Sequence, residues 1–76
     1  VTRALTNRQR EVLILAANGN TSAHIAHWLG VSVNTVNESL NRAYRALGAR
    51  DRAQAVAIAM KIGEFGVDDI QLPDAA

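Results

Sequence analysis

The sequence predicts an all-α fold, a compact four-helix domain containing a helix-turn-helix, with helices over about 7–18, 22–29, 33–47 and 52–62. Three observations predict it. Apolar residues recur at the three- and four-residue spacing of amphipathic helices in each segment, and no stretch alternates as a strand would. Residues that cap helix starts precede the segments, and glycines follow them. The second and third segments are joined only by Gly30-Val31-Ser32, a link so short that the two helices must cross steeply.

Val1 to Leu5 is a lead-in, and Thr6-Asn-Arg-Gln9 fits a capping box at the start of the first helix. Val12, Leu13, Leu15 and Ala16 form its broad inner face. Ile14 falls roughly opposite, as an exposed apolar residue or part of a contact surface. Asn18-Gly19-Asn20 ends the helix, with Gly19 as the left-handed stop. Thr21 caps the second helix, whose Ile25, Ala26 and Leu29 point inward. Gly30 is free to take positive φ, and Ser32 caps the third helix. There Val36, Leu40, Ala43 and Leu47 make the core stripe, and Gly48 closes the helix.

Asp51-Arg-Ala-Gln54 reads as a second capping box, opening the fourth helix. That helix is apolar on nearly every side. Ala55, Ile58, Ala59 and Ile62 form the stripe facing the core, while Val56 and Met60 lie on a neighbouring face and Ala57 on a third. A helix so apolar needs cover beyond one docking face. A second copy of the chain would supply it through Val56, Ala57 and Met60 as a two-fold homodimer. The competing cover is the apolar tail from Phe65 onward. Residues 1–63 thus form the domain and 64–76 an acidic tail, either disordered or folded back through Phe65, Val67, Ile70 and Leu72.

Composition narrows the chemistry. A chain of 76 residues is one domain near the small end of what folds unaided. Without cysteine there is no disulfide and no thiolate metal site, and an intracellular setting is expected. No apolar run reaches membrane-spanning length and no signal-peptide pattern is present. All eight basic residues fall within 1–63 against three acidic ones, leaving +5 there, while Glu64, Asp68, Asp69 and Asp74 give the tail −4. A basic body suits a polyanionic partner. His24 and His27 share one side of a helix, but no further ligand completes a metal site. Trp28 reads as a surface plug in a dimer, a docking point for the tail or a core-edge filler, the last being the commonest role for a lone Trp. No phosphate loop and no nucleophile–base pairing supports catalysis, and no cofactor or small-molecule ligand is expected.

The outer face of the third helix carries the functional expectation. Asn34, Asn37, Glu38, Asn41 and Arg45 gather there, flanked by Arg42. Asn can pair bidentately with adenine, and Glu can accept from the cytosine amino group. Arg45 can reach a phosphate or a guanine. A polar outer face is common to any exposed helix. This one is the second helix of a helix-turn-helix, the element that enters the major groove of DNA in that motif. Thr21, Ser22 and Thr35 are hydroxyl donors near helix N-termini, suited to phosphate contacts. Glu38 opposes phosphate, so Arg8, Arg10, Arg50 and Arg52 must supply much of the backbone attraction.

Leu5-Thr-Asn-Arg-Gln-Arg-Glu-Val-Leu13, Ile25-Ala-His-Trp-Leu-Gly-Val-Ser32, Thr35-Val36, Leu47-Gly-Ala-Arg-Asp-Arg52 and Ala55-Val56 resemble the LuxR-type (GerE-like) DNA-binding domain, in order and without gaps over about 4–63. The resemblance implies a bacterial or phage transcription regulator, cytoplasmic and acting at the nucleoid. Its third helix would read the major groove and its fourth would help dimerise. It implies that Asn37, Glu38 and Asn41 stand at base-contacting positions, and Thr35 and Arg45 at backbone contacts. The chain departs from the family in having Asn37 where Lys or Arg is frequent, Ser39 for His, His24 for an acidic residue and Trp28 for a polar one. These departures bear on the target sequence rather than the activity. The partners implied are double-stranded DNA, a second copy and RNA polymerase, with no membrane. Two other readings remain. One is a module like sigma-factor region four. The other is a protein-interaction domain that kept the fold but lost DNA affinity, for which Glu38, the absent Lys at 37 and the acidic tail speak. The chain reads as a stand-alone regulator of the GerE kind or as the output domain of a larger one.

Overall fold

The computed structural model describes residues 4–73. It contains α1 (Asn7–Ala17), α2 (Ser22–Leu29), α3 (Val33–Leu47) and α4 (Arg52–Lys61), followed by a single 3₁₀ turn at Val67–Asp69. No strand occurs among the described residues. The all-α expectation holds, and α1 and α4 each stop one residue short of the sequence estimate because Asn18 and Ile62 act as C-caps.

Each helix starts where a side chain satisfies an open amide. Thr6 Oγ1 accepts from Gln9 N at 3.1 Å and Gln9 Oε1 accepts from Thr6 N at 3.1 Å, so the first capping box is complete. Thr21 accepts from His24 N and Ser32 from Thr35 N, each at 3.1 Å. The second box is only half made. Asp51 Oδ1 accepts from Gln54 N at 2.9 Å, but Gln54 Oε1 takes the amide of Arg50 instead of Asp51, at 2.7 Å. The Gln54 side chain overshoots the cap residue by one position, so it ties the preceding loop to α4.

At the α2–α3 turn Gly30 has φ 69°, and Val31 N reaches back to Ala26 O at 3.0 Å. A side chain there would meet nothing within 4 Å. Backbone geometry alone therefore selects glycine at this bend. Gly63, with φ 82°, turns the chain at the end of α4 in the same way, and Glu64 N bonds Ala59 O at 2.8 Å.

The core draws on every helix. Val12, Leu13 and Ala16 of α1 meet Ile25 and Ala26 of α2, Val36, Leu40 and Ala43 of α3, and Ala55 and Ala59 of α4. Each fully buried Leu, Ile or Val contributes about 1.5–3 kcal/mol by leaving water. Leu15, Leu29 and Leu47 line the edge of this cluster, half-buried. Two residues outside the helices join it. Leu5, expected only as lead-in, is 3% exposed and closes one end, and Phe65 is 4% exposed.

Phe65 decides how the tail lies. Residues 64–73 lie back along the body, with Phe65 buried in the core. Beyond Phe65, Ile70 packs on the core edge. Asn18 pins the returning chain, donating from Nδ2 to Asp69 O at 2.9 Å and accepting on Oδ1 from Gln71 N at 2.6 Å. Asn18 and Ile14 share one face of α1, being four residues apart. Ile14 is half-buried and not exposed, packed at the edge of the core cluster.

Three expectations need correcting. Ile62 is 54% exposed and Ile58 only half-buried, because α4 is seated by its alanines, Ala55 and Ala59, at its closest approach. Trp28 is 73% exposed and fills no core edge, whereas Ile25 and Ala26 are the buried residues of α2. Val67 and Leu72 of the tail also stay in solvent.

Replacing Phe65 by Ala should lower the unfolding free energy by about 3 kcal/mol in urea titration, the cost of emptying an aromatic core site. A tail that merely rested on the surface would show almost no change.

Candidate nucleic-acid interface

The helix presented for recognition is α3, whose inner stripe is held by the three other helices. With that stripe fixed, its rotation about its own axis is fixed as well. Asn34, Thr35, Asn37, Glu38, Asn41, Arg42 and Arg45 are all exposed on the side away from the core. The structure thus brings together every α3 residue expected at the interface. Thr21 and Ser22 stand at the start of α2, and Ser22 reaches that face directly.

Two contacts organise the face, and neither was read from the sequence. Ser22 Oγ donates to Asn37 Oδ1 at 2.7 Å, linking the start of α2 to the second turn of α3. The hydroxyl hydrogen of Ser22 is thereby directed at a neighbour and not outward. Arg42 Nη2 donates to Glu38 Oε1 at 2.6 Å, an ion pair one helical turn apart. The repulsion expected between Glu38 and phosphate is offset by that guanidinium. The signal was present in the sequence as Glu followed by Arg at four-residue spacing. No comparable pattern announces Ser22 and Asn37, which are 15 residues apart.

The hydroxyls at the helix starts are partly committed. Thr21 Oγ1 caps α2. Thr35 Oγ1 shares a 2.9 Å hydrogen bond with Ser32 Oγ. Thr35 also borders a cleft of about 160 Å³, floored by Val12, Leu29, Val31 and Val36, with Arg8, Thr35 and Ser39 as its polar lining. Of the arginines assigned to backbone attraction, Arg8 stands 3.6 Å from Glu11, and Arg50 and Arg52 are exposed. Arg10 is drawn half into the protein with its Nε enclosed, so it is less suited to the role. His24 and His27 are exposed, and the described residues contain no cluster of three or more His, Cys, Asp or Glu able to hold a metal.

This arrangement, a caps-and-glycine turn aiming a polar helix face outward, coincides with a family match. The profile of the bacterial regulatory proteins of the luxR family matches residues 3–59. The chain belongs to the luxR family. Spore germination protein GerE of Bacillus subtilis is 38% identical over 61 residues, which span 80% of this chain and 82% of GerE. Transcriptional activator protein AhyR of Aeromonas hydrophila is 43% identical over 60 residues, 79% of this chain and 23% of AhyR. The solved structure of a Vibrio cholera VqmA–ligand–DNA complex superposes with a TM-score of 0.73 at 33% identity, covering 83% of this chain and 28% of that one. The chain therefore spans about four fifths of GerE but only about a quarter of AhyR. It is a LuxR-type helix-turn-helix domain.

The Glu38–Arg42 pair is exposed on both sides, at 62% and 63%. Arg42→Ala should therefore shift stability by no more than about 0.5 kcal/mol in thermal or urea unfolding, as for other solvent-screened helix pairs. A larger loss would mean that Arg42 holds the fold.

Proposed function

We propose that the domain binds double-stranded DNA with base preference, laying α3 in the major groove as part of a transcription regulator. The observation that carries this is the exposed α3 face, in which Asn37, Glu38 and Asn41 point their hydrogen-bonding groups away from the core. Those three residues contact base edges. Asn34, Thr35, Arg42 and Arg45, with Thr21 and Ser22 at the start of α2, lie against the sugar–phosphate backbone. In this pose the amides at the start of α2 meet phosphate, where a helix N-terminus favours negative charge. Pairing of Glu38 with Arg42 removes one of the observations that favoured a protein-interaction domain without DNA affinity. The setting is the bacterial cytoplasm, with RNA polymerase as a further partner; no described helix is long and apolar enough to cross a membrane.

A titration of binding to random duplex against salt tests the reading. Several phosphate contacts predict a steep linear fall of log affinity with log salt, at about 0.9 per phosphate neutralised. No binding at low salt would leave the interaction-domain reading standing.

Dimerisation through α4 completes the proposal. Val56 and Met60 are half-buried against their own core, while Ala57 is exposed on the outer side of the helix. The tail runs to α1 and leaves Ala57 uncovered, so a small-residue surface remains for a second α4. Two copies joined in this way would present two α3 helices to paired half-sites. Ala57→Glu alters that surface without entering the core. Sedimentation should show the unaltered domain shifting toward dimer as concentration or duplex is raised, and Ala57→Glu remaining monomeric. A unaltered domain that stays monomeric on a two-half-site duplex would sink the α4 dimer.

A further inference from the structure

We propose that Ser22 is a specificity-positioning residue that turns Asn37 from an adenine reader toward a guanine reader; this rests on the DNA-binding reading above. Ser22 opens α2 and Asn37 stands on the facing edge of α3, so the two meet in the angle of the helix-turn-helix. Their oxygens are 2.7 Å apart, with Ser22 Oγ donating to Asn37 Oδ1. That spacing is typical of O–H···O, whereas N–H···O bonds centre nearer about 2.9–3.0 Å. The carboxamide oxygen is therefore the end that faces α2, and the planar group turns Nδ2 away from Ser22.

The consequence follows from the edges of the bases. An unconstrained Asn pairs bidentately with adenine, accepting from N6 and donating to N7. That needs both ends of the carboxamide against one base. With one lone pair of its oxygen taken and that oxygen turned toward Ser22, Asn37 leads into the groove with its Nδ2 donors. Guanine presents two neighbouring acceptors, N7 and O6. Adenine sets an amino donor beside its N7, thymine a methyl group beside its one acceptor, and cytosine a donor. Guanine is the base that a side chain leading with its donors satisfies most fully. Ser22 is half-buried at the start of α2 while Asn37 is exposed, so the bond sits at the edge of the groove-facing surface. A neutral hydrogen bond of this kind biases one orientation over the other by about fivefold.

Selection of bound duplexes from a random pool tests the proposal. Asn37→Ala identifies the base position that Asn37 reads as the one whose preference collapses. At that position the unaltered domain should favour guanine. Ser22→Ala should lower the guanine-to-adenine ratio there by about fivefold and leave the other positions as they were. Ser22→Thr keeps the hydroxyl and should restore guanine, which a merely structural role for Ser22 would not require. Thermal melting establishes that each variant is folded. An unchanged ratio in Ser22→Ala, an equal change at every position, or an Asn37→Ala variant with no lost preference overturns the positioning role while DNA binding stands. If the unaltered domain selects no duplex and binds none at low salt, the DNA-binding reading fails and this proposal with it.

Discussion

The inner stripe of α3, Val36, Leu40 and Ala43, is pressed against α1, α2 and α4 at once, and this burial allows the helix one rotation about its axis. A turn of the helix by one residue would move about 100° of surface from core to solvent. Because the stripe cannot slip, Asn34, Asn37, Glu38, Asn41 and Arg45 have no route inward. The recognition face is therefore a by-product of core packing, and mutations at Val36 or Leu40 would reach it as surely as mutations on it.

Local signals were legible because they depend on neighbours in sequence. Thr6, Thr21, Ser32 and Asp51 cap the helices that follow them, and Gly30 turns between α2 and α3, all within reach of a few residues. The inner residues of α1, α2 and α3 follow from periodicity for the same reason. In α4 periodicity gave the direction, since Ala55 and Ala59 of the expected stripe are buried, but it overstated how far the stripe's isoleucines reach inward. Within that stripe the two alanines are fully buried, while Ile58 is half-buried and Ile62 exposed.

What was illegible lies in contacts between distant segments. Leu5 and Phe65 flank the helices without any period, yet both complete the core. Asn18 looked like an ordinary helix-end residue, and its carboxamide is instead the clasp for the tail. At the interface, the residue types on α3 could be read from the chain, while the Ser22–Asn37 bond could not. It depends on the crossing of two helices, a geometry that the short turn permits but does not specify to within a hydrogen bond. Residue identity gave the vocabulary of the face, and tertiary geometry sets which end of a carboxamide speaks.

The Asn18 clasp also orders events in time. It joins residues 51 and 53 positions apart, so closing it requires the ends of a long loop to meet before any bond repays the entropy. The α2–α3 pair is local and pays far less. Folding would then assemble the helices around α3 first and latch the tail last, and opening would run in reverse. In the native ensemble the amide of Gln71 should exchange with solvent well before those of Val36 and Leu40, which makes the C-terminal strap the domain's earliest point of release.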